Sequence, residues 1–184
     1  WGLCCLFLKE DLKFRTTRYS VLQKKTRSEQ LSILSRICLD NSQTLLQTLR
    51  RLPALNIQAF RISSELFPLY THPEAGYHLE QLPDGEEILR NFGECRALAK
   101  GLSIRLSLHP DQFVVLVSPH EAVLASSLAE LEYQLVLAEL SGAEEINLHL
   151  GGSYADKMAA MARFEKVFAG LPEGLQKRLT LEND

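Results

Sequence analysis

Three segments of this chain end in side chains that hold metals or move protons. Ile104-Arg105-Leu106-Ser107-Leu108 runs into His109-Pro110-Asp111-Gln112-Phe113. Ile146-Asn147-Leu148-His149 runs into Leu150-Gly151-Gly152, and Leu179-Thr180-Leu181-Glu182 runs into Asn183-Asp184. Each alternates apolar and polar residues as a β-strand does. Two imidazoles and a carboxylate at converging strand ends form a donor set for a divalent metal. Any one of these histidines alone also fits a hydrogen-bonded loop residue. It is the recurrence at three equivalent places that favours metal binding. Pro110 ends the ladder at His109 and stiffens the loop that follows. His72 lies in the loop Thr71-His72-Pro73, where a solvated histidine fits nearly as well as a functional one. His78 and His120 read as surface residues. Arg61, inside a strand, is expected to point inward and pair with a carboxylate such as Glu182.

Elements of regular spacing must carry those residues. Gly2–Leu8 reads as a short buried strand. A long polar segment, 9–27, follows it. Ser28 with Leu31 reads as a helix start. The apolar period then continues to Leu52, with a weak point at Asn41-Ser42 and a stop at Pro53. Ile57–Ile62 is the second strand. Leu82–Leu102 is helical, opening on Pro83-Asp84 and closing at Gly101. After the third strand, 104–108, Ser118-Pro119 reads as an N-cap with proline at the first helical position. That helix runs to Leu140 and stops at Gly142. Strand 145–149, helix 156–169 and strand 179–182 complete the series. The order βαβαβαβαβ predicts an α/β fold with a parallel sheet. No GxGxxG follows the first strand, so nothing supports a dinucleotide fold. A complete (β/α)₈ barrel takes about 250 residues. The chain therefore fits a partial (β/α)₈ TIM barrel, the first four βα units plus the fifth strand. Val, Ile and Leu are expected on its inner face.

The chain has 184 residues, 46% of them hydrophobic, and a net charge of −3. That suits one domain over 1–184 and does not advertise a nucleic-acid binder. Charge is uneven: Lys9, Lys13, Arg15, Arg18, Lys24, Lys25 and Arg27 face only Glu10 and Asp11. This stretch reads equally as a solvated loop or as a phosphate-facing one. Cys4, Cys5, Cys38 and Cys95 have no disulfide-scaffold or CxxC spacing and read as buried thiols of a reducing compartment. The apolar opening is too short for a membrane span and lacks the flanks of a signal peptide. The chain starts at Trp1 and stops just past a strand, so both ends read as cut.

With these residues in hand, the chain resembles the UV damage endonuclease family, DNA-repair enzymes with a TIM barrel related to endonuclease IV. The resemblance covers nearly the whole chain. It rests on Thr16-Thr17-Arg18, Phe60-Arg61-Ile62-Ser63-Ser64-Glu65-Leu66-Phe67-Pro68 and His109-Pro110-Asp111-Gln112-Phe113. It continues through His149-Leu150-Gly151-Gly152, Tyr154-Ala155-Asp156-Lys157 and Leu181-Glu182-Asn183-Asp184. Each string alone is weak; all six in this order are specific. The resemblance implies a metal-dependent endonuclease that nicks damaged double-stranded DNA 5′ to UV photoproducts and other distorting lesions, leaving a 3′-hydroxyl. It implies two or three divalent ions in the complete enzyme, commonly Mn²⁺. By motif, His109, His149 and Glu182 match metal ligands, with Glu182 bridging two ions. His72 and Lys157 match groups near the scissile phosphate. Gln112 and Phe113 match a pair inserted into the duplex, and Arg18 and Tyr154 are expected to contact DNA. The family implies a monomer, in the bacterial cytoplasm with the nucleoid or in a eukaryotic nucleus. Leu3 and Phe7 stand where the family has Tyr and Asn, and the family's ligands on strands six to eight have no counterpart in the chain.

The chemistry suits those parts. Metal ions about 3.5–4 Å apart supply a hydroxide, neutralise phosphate charge and stabilise the leaving oxygen. A wedge of amide and aromatic can refill the hole left by an extruded base. Two other readings fit the strand-end residues: a sugar isomerase or epimerase on a similar metal barrel, and a non-catalytic half-barrel.

Overall fold

A computed structural model describes residues 1–7, 10–152, 154 and 156–182. Ser153 lies outside the described residues, as do Leu8, Lys9, Ala155, Asn183 and Asp184, which enter the readings above. The strands are β1 (Gly2–Cys4), β2 (Ala59–Ile62), β3 (Arg105–Leu108), β4 (Glu145–His149) and β5 (Leu179–Glu182). All four neighbouring pairs are parallel, and the sheet order is β1-β2-β3-β4-β5. The order never reverses, so the sheet is an arc of a (β/α)₈ barrel and not a doubly wound sheet. Four long helices make the crossovers: α2 (Arg27–Arg51), α3 (Gly85–Gly101), α4 (Glu121–Ser141) and α5 (Lys157–Ala169). Two short ones, α1 (Tyr19–Leu22) and α6 (Glu173–Gln176), were not expected from the sequence. One turn apiece is too short to leave a periodic signal.

Register sorts the strand residues into two faces. Phe60 pairs with Leu106, Ile62 with Leu108, Leu108 with Ile146, and Leu148 with Leu181. All of these but the exposed Leu181 turn toward the helices and form the core, joined by Leu34, Leu45 and Leu49 of α2, Ile88 and Phe92 of α3, and Leu131 and Leu137 of α4. The opposite face pairs Arg61 with Ser107, Ser107 with Glu145, Asn147 with Thr180 and His149 with Glu182. The expected inner Val, Ile and Leu are therefore absent from strands β2 to β5. With a two-residue period, the buried apolar set fills the helix side and leaves polar residues and the small Ala59 for the other.

Local chemistry moves several boundaries. Thr26, not Ser28, caps α2: its hydroxyl accepts from the Glu29 amide while Glu29 Oε2 accepts from the Thr26 amide at 2.8 Å, a reciprocal capping box. Asn41-Ser42 is not a weak point. Asn41 is fully buried and cross-links the structure, its Nδ2 donating to Arg15 O at 2.8 Å and Leu66 O at 2.9 Å, its Oδ1 accepting from Arg15 N at 2.7 Å. Ser118 does not cap α4, which starts two residues after Pro119; its hydroxyl instead accepts from His120 N at 3.1 Å within the approach loop. Gly142 does stop α4, at φ +79°, as a left-handed cap. β1 ends at Cys4, short of the predicted Leu8, because Leu6 N donates to Cys4 O at 2.8 Å across Cys5, whose φ is +62°. That three-residue γ-turn breaks the strand.

Candidate metal centre and its surrounding mouth

β3, β4 and β5 run parallel and in adjacent register, so their C-terminal ends meet at one place. His149 pairs directly with Glu182 across β4 and β5. His109 follows β3 by one residue. Its Nε2 lies 3.3 Å from Glu182 Oε2, and His149 Nε2 lies 3.9 Å from the same oxygen. One donor atom from each residue falls within 4.8 Å of the others. Donors on a tetrahedral ion at about 2.1 Å stand about 3.4 Å apart, so small side-chain movements would close the set around a metal.

The proton inventory of this cluster also calls for a cation. His109 Nδ1 is 2.9 Å from the Pro110 carbonyl, which can only accept, so Nδ1 carries a proton. A neutral ring then aims its Nε2 lone pair at a carboxylate oxygen. Two acceptors at that separation need a second proton or a metal ion between them. The Nδ1–H···O=C bond is also how proteins fix the tautomer of a metal-ligating histidine. Glu182 is anchored from its own face of the sheet. Asn147 Nδ2 donates to Glu182 Oε2 at 3.0 Å, and Thr180 Oγ1 donates to Asn147 Oδ1 at 3.3 Å. When a proton occupies the gap to His109, that hydrogen bond, with help from His149 and Asn147, holds Glu182 below the usual carboxylate range. Its oxygens are therefore ionised at neutral pH. The residues present fit a divalent cation. Asn147 and Thr180 were not singled out in the sequence, although period-two reading of Glu145-Ile146-Asn147-Leu148-His149 puts Asn147 on the histidine's face. Arg61 shares that face but makes no ion pair with Glu182 among the described residues.

The loop after β3 carries the wedge candidates. Gln112 and Phe113 are exposed, Phe113 by 76%. The loop beneath them is nevertheless held. Asp111 Oδ1 accepts from Phe113 N at 3.2 Å, Val114 is buried, and Ser127 Oγ on α4 accepts from Val115 N at 2.9 Å. An aromatic ring lifted into solvent on a pinned loop incurs little further ordering entropy when it inserts. Gly151 brings the next loop against this one: at φ +83°, a Cβ there would come within 2.9 Å of Val115 Cγ1.

The other candidates stand around this mouth without joining the cluster. His72 Nδ1 accepts from the amides of Glu74 and Ala75, each at 3.2 Å, and its ring stacks on Tyr19 at 4.4 Å. Its fixed acceptor leaves Nε2–H as the outward donor. Arg18 is exposed at the start of α1. Of the basic stretch, Arg15 pairs with Asp40, and Arg27 donates to the carbonyls of Ala75 and Gly76 at 3.2 and 2.7 Å. Those two are structural ties, while Arg18, Lys24 and Lys25 remain exposed. Tyr154 is half-exposed at φ +50°, with the Arg163 guanidinium 5.9 Å from its ring centroid. Lys157 opens α5 behind the Asp156 cap and borders a cavity of about 560 Å³ that Gly151, Gly152 and Leu181 also line. A second cleft, about 360 Å³, runs from His109 past Thr16, Thr17 and Thr71. Tyr133 of α4 shapes it, donating to Ser64 O at 2.7 Å and accepting from Phe67 N at 3.1 Å. Leu3 and Phe7 turn toward the core, where Phe7 is 9% exposed. No helix among the described residues is long and apolar enough to cross a membrane.

The model of a family described as UV-endonuclease UvdE matches residues 1–184. A UV DNA damage endonuclease of Nostoc sp. is 33% identical over 184 residues, which is all of this chain and 56% of that protein. One of Bacillus pumilus is 34% identical over 170 residues, 91% of this chain and 51% of that protein. The crystal structure of SacUVDE superposes on the whole chain with a TM-score of 0.84 and 32% identity, over 60% of its own length. The chain spans about half the length of the curated relatives it matches, 52% and 51% for two of them.

Proposed function

Given that this chain belongs to the UV-endonuclease UvdE family, we propose that it carries part of the active site of a DNA-repair endonuclease. The proposed reaction is hydrolysis of the phosphodiester on the 5′ side of UV photoproducts and other distorting lesions in duplex DNA. The carrying observation is the meeting of His109, His149 and Glu182 within 4.8 Å at three strand ends, beside an exposed aromatic on the next loop. His109, His149 and Glu182 would hold divalent metal, manganese by family resemblance, which when bound supplies phosphate neutralisation and an activated water. Glu182 has two oxygens, so one can bridge to a further ion held by ligands from outside the chain. Asn147 keeps that carboxylate in place, and the Pro110 carbonyl keeps the His109 ring in place. Both imidazoles must be neutral to ligate, so metal affinity falls on acidification. His72, through Nε2–H, and Lys157, at the start of α5, are assigned to phosphate oxygens. Arg18 and Tyr154 flank the path of the strand.

Lesion choice in this reading is mechanical. A base leaves the stack at a cost of a few kcal/mol, less where it is already badly stacked. Phe113 and Gln112 fill the gap, so deformable sites are selected without reading base edges. A sugar isomerase on a similar barrel has no use for such a wedge.

Incubation of the complete, full-length protein that carries this segment with manganese and either irradiated or unirradiated duplex tests the proposal, the 184 residues alone being expected to nick little or not at all. Cuts on the 5′ side of photoproducts with a 3′-hydroxyl are expected, and are expected to vanish in His149→Ala. Phe113→Ala should lower lesion cleavage by the worth of one stacked base, about 1–3 kcal/mol or roughly 5- to 150-fold, and leave binding to undamaged duplex nearly unchanged. Equal losses on both substrates would show Phe113 to be mere packing. Isomerisation or epimerisation of sugars without any DNA nicking would overturn the whole reading.

A further inference from the structure

Cys4 and Cys5 do not behave as the buried thiols their apolar setting predicts. Cys4 is exposed and Cys5 half-buried, whereas Cys38 and Cys95 are buried. Consecutive residues of a strand point to opposite faces, which would hold their sulfurs well apart. Here the two Sγ atoms are 3.6 Å apart. The γ-turn is the cause: φ of +62° at Cys5 reverses the alternation and swings its thiol beside that of Cys4. The turn is held on the sheet by Cys5 N donating to Arg61 O at 2.9 Å. A non-glycine residue in such a conformation is strained and persists only where its surroundings fix it.

Two sulfurs bound at about 2.3 Å to one trigonal-pyramidal centre, with an angle of about 100°, stand about 3.5 Å apart, close to the separation found. An internal disulfide is a poorer outcome. Adjacent Cα atoms are about 3.8 Å apart, and unstrained disulfides need about 4.4–6.8 Å. Burial first, and then the neighbouring Cys4, push the Cys5 thiol up to about 11. It thus stays protonated at neutral pH and exchanges slowly with disulfides. Cys5 also lines both the cleft that reaches His109 and a side pocket of about 300 Å³ beside Lys13 and Arg15. A small ligand can therefore reach Cys5 from the mouth, with Cys4 exposed beside it.

We infer that Cys4 and Cys5 form a vicinal dithiol site for a soft trivalent electrophile, of the class of monosubstituted arsenicals. With phenylarsine oxide the step balances without an oxidant. Two S–H bonds and the As=O bond break, two S–As bonds form, and the oxygen leaves with both protons as water. Arsenic stays trivalent throughout. Occupancy puts the phenyl group at the wall of the cleft, on the side of Thr16 and Ser63.

The test is intact mass after treatment of the reduced protein with one equivalent of phenylarsine oxide, and it requires no nuclease activity. One phenylarsenic group per chain is expected in the native protein and in a Cys38→Ser/Cys95→Ser variant. Dimercaptopropanol should release it and an equal thiol concentration of mercaptoethanol should not. In Cys4→Ser and Cys5→Ser, loss of one of two linked attachments should weaken retention by about a hundredfold or more. Digestion of the native adduct should place the arsenic on the peptide holding both cysteines, an arm that does not depend on how any variant folds. Absence of an adduct on folded native protein, its location elsewhere, or undiminished retention in Cys4→Ser would each overturn the inference.

Discussion

On the helix-packed face of the sheet, Phe60, Ile62, Leu106, Leu108, Ile146 and Leu148 are each 2% exposed or less. On the other face the same strands present Arg61, Arg105, Ser107, Glu145 and Asn147, none of them buried, and lead to His109 and His149. A single period of two produces both sets. The apolar set supplies stability by removal from water, at about 25 cal/mol per Å². The polar set supplies little stability but, together with the Pro110 carbonyl, orders the cluster among the described residues. Folding and chemistry are thus divided between odd and even positions of the same short strands. Substitutions one residue apart should then fail in different ways.

The largest effect is expected on the packed side. Leu108→Ala removes a fully buried side chain between β3's neighbours and the helices. It should cost about 2–5 kcal/mol of unfolding free energy. Ser107→Ala, its immediate neighbour on the polar face, should change stability by no more than about 0.5 kcal/mol. Denaturant melts of the two variants side by side decide this. Equal losses would mean that the polar face is load-carrying and that the division of labour is wrong.

That division was only half visible in the sequence. The alternation in 104–108 and 145–149 marked the strands, and the ligand types at their ends marked the site. What the polar positions between them do was hidden, because Asn147 and Thr180 gain meaning only when β5 lies beside β4 in one register. The γ-turn at Cys5 was hidden for a related reason. Nothing in Leu3-Cys4-Cys5-Leu6 supplies the glycine or proline that normally announces a turn. The conformation is imposed by tertiary contacts, among them the bond to Arg61 O. The Thr26 cap, by contrast, was readable as Thr26-Arg27-Ser28-Glu29, a capping-box spacing passed over for the nearer serine.

A middle-sized effect should come from the polar face alone. Asn147→Leu keeps the volume and removes the donor to Glu182. Loss of a group that orients a ligand typically costs 10–100-fold in metal affinity. Manganese titration should show a fall of about that size, with a melt close to the parent's. Asn147→Asp serves as the control for shape, since it fills the same space but cannot donate at neutral pH. If Asn147→Leu binds metal as the parent does, Glu182 is positioned by the strand alone and the polar face is only a scaffold.

The smallest effect is expected one step further along the same relay. Thr180 Oγ1 donates to Asn147 Oδ1 at 3.3 Å, a long bond at an exposed site. It selects the amide orientation in which Nδ2, and not Oδ1, meets the carboxylate. Thr180→Val keeps the β-branched shape that suits a strand and deletes only that hydroxyl. Without it the amide can flip, presenting an oxygen to Glu182 in a fraction of molecules. A neutral, solvent-accessible hydrogen bond is worth about 0.5–1.5 kcal/mol, so metal affinity should fall by a factor of about 2–10. Stability should hold or rise slightly, since valine is at least as favourable in a strand as threonine. A Thr180→Val protein with parental manganese affinity would place the end of the relay at Asn147. A loss as large as that of Asn147→Leu would show instead that the hydroxyl governs the amide completely, and that the polar face acts as one connected unit.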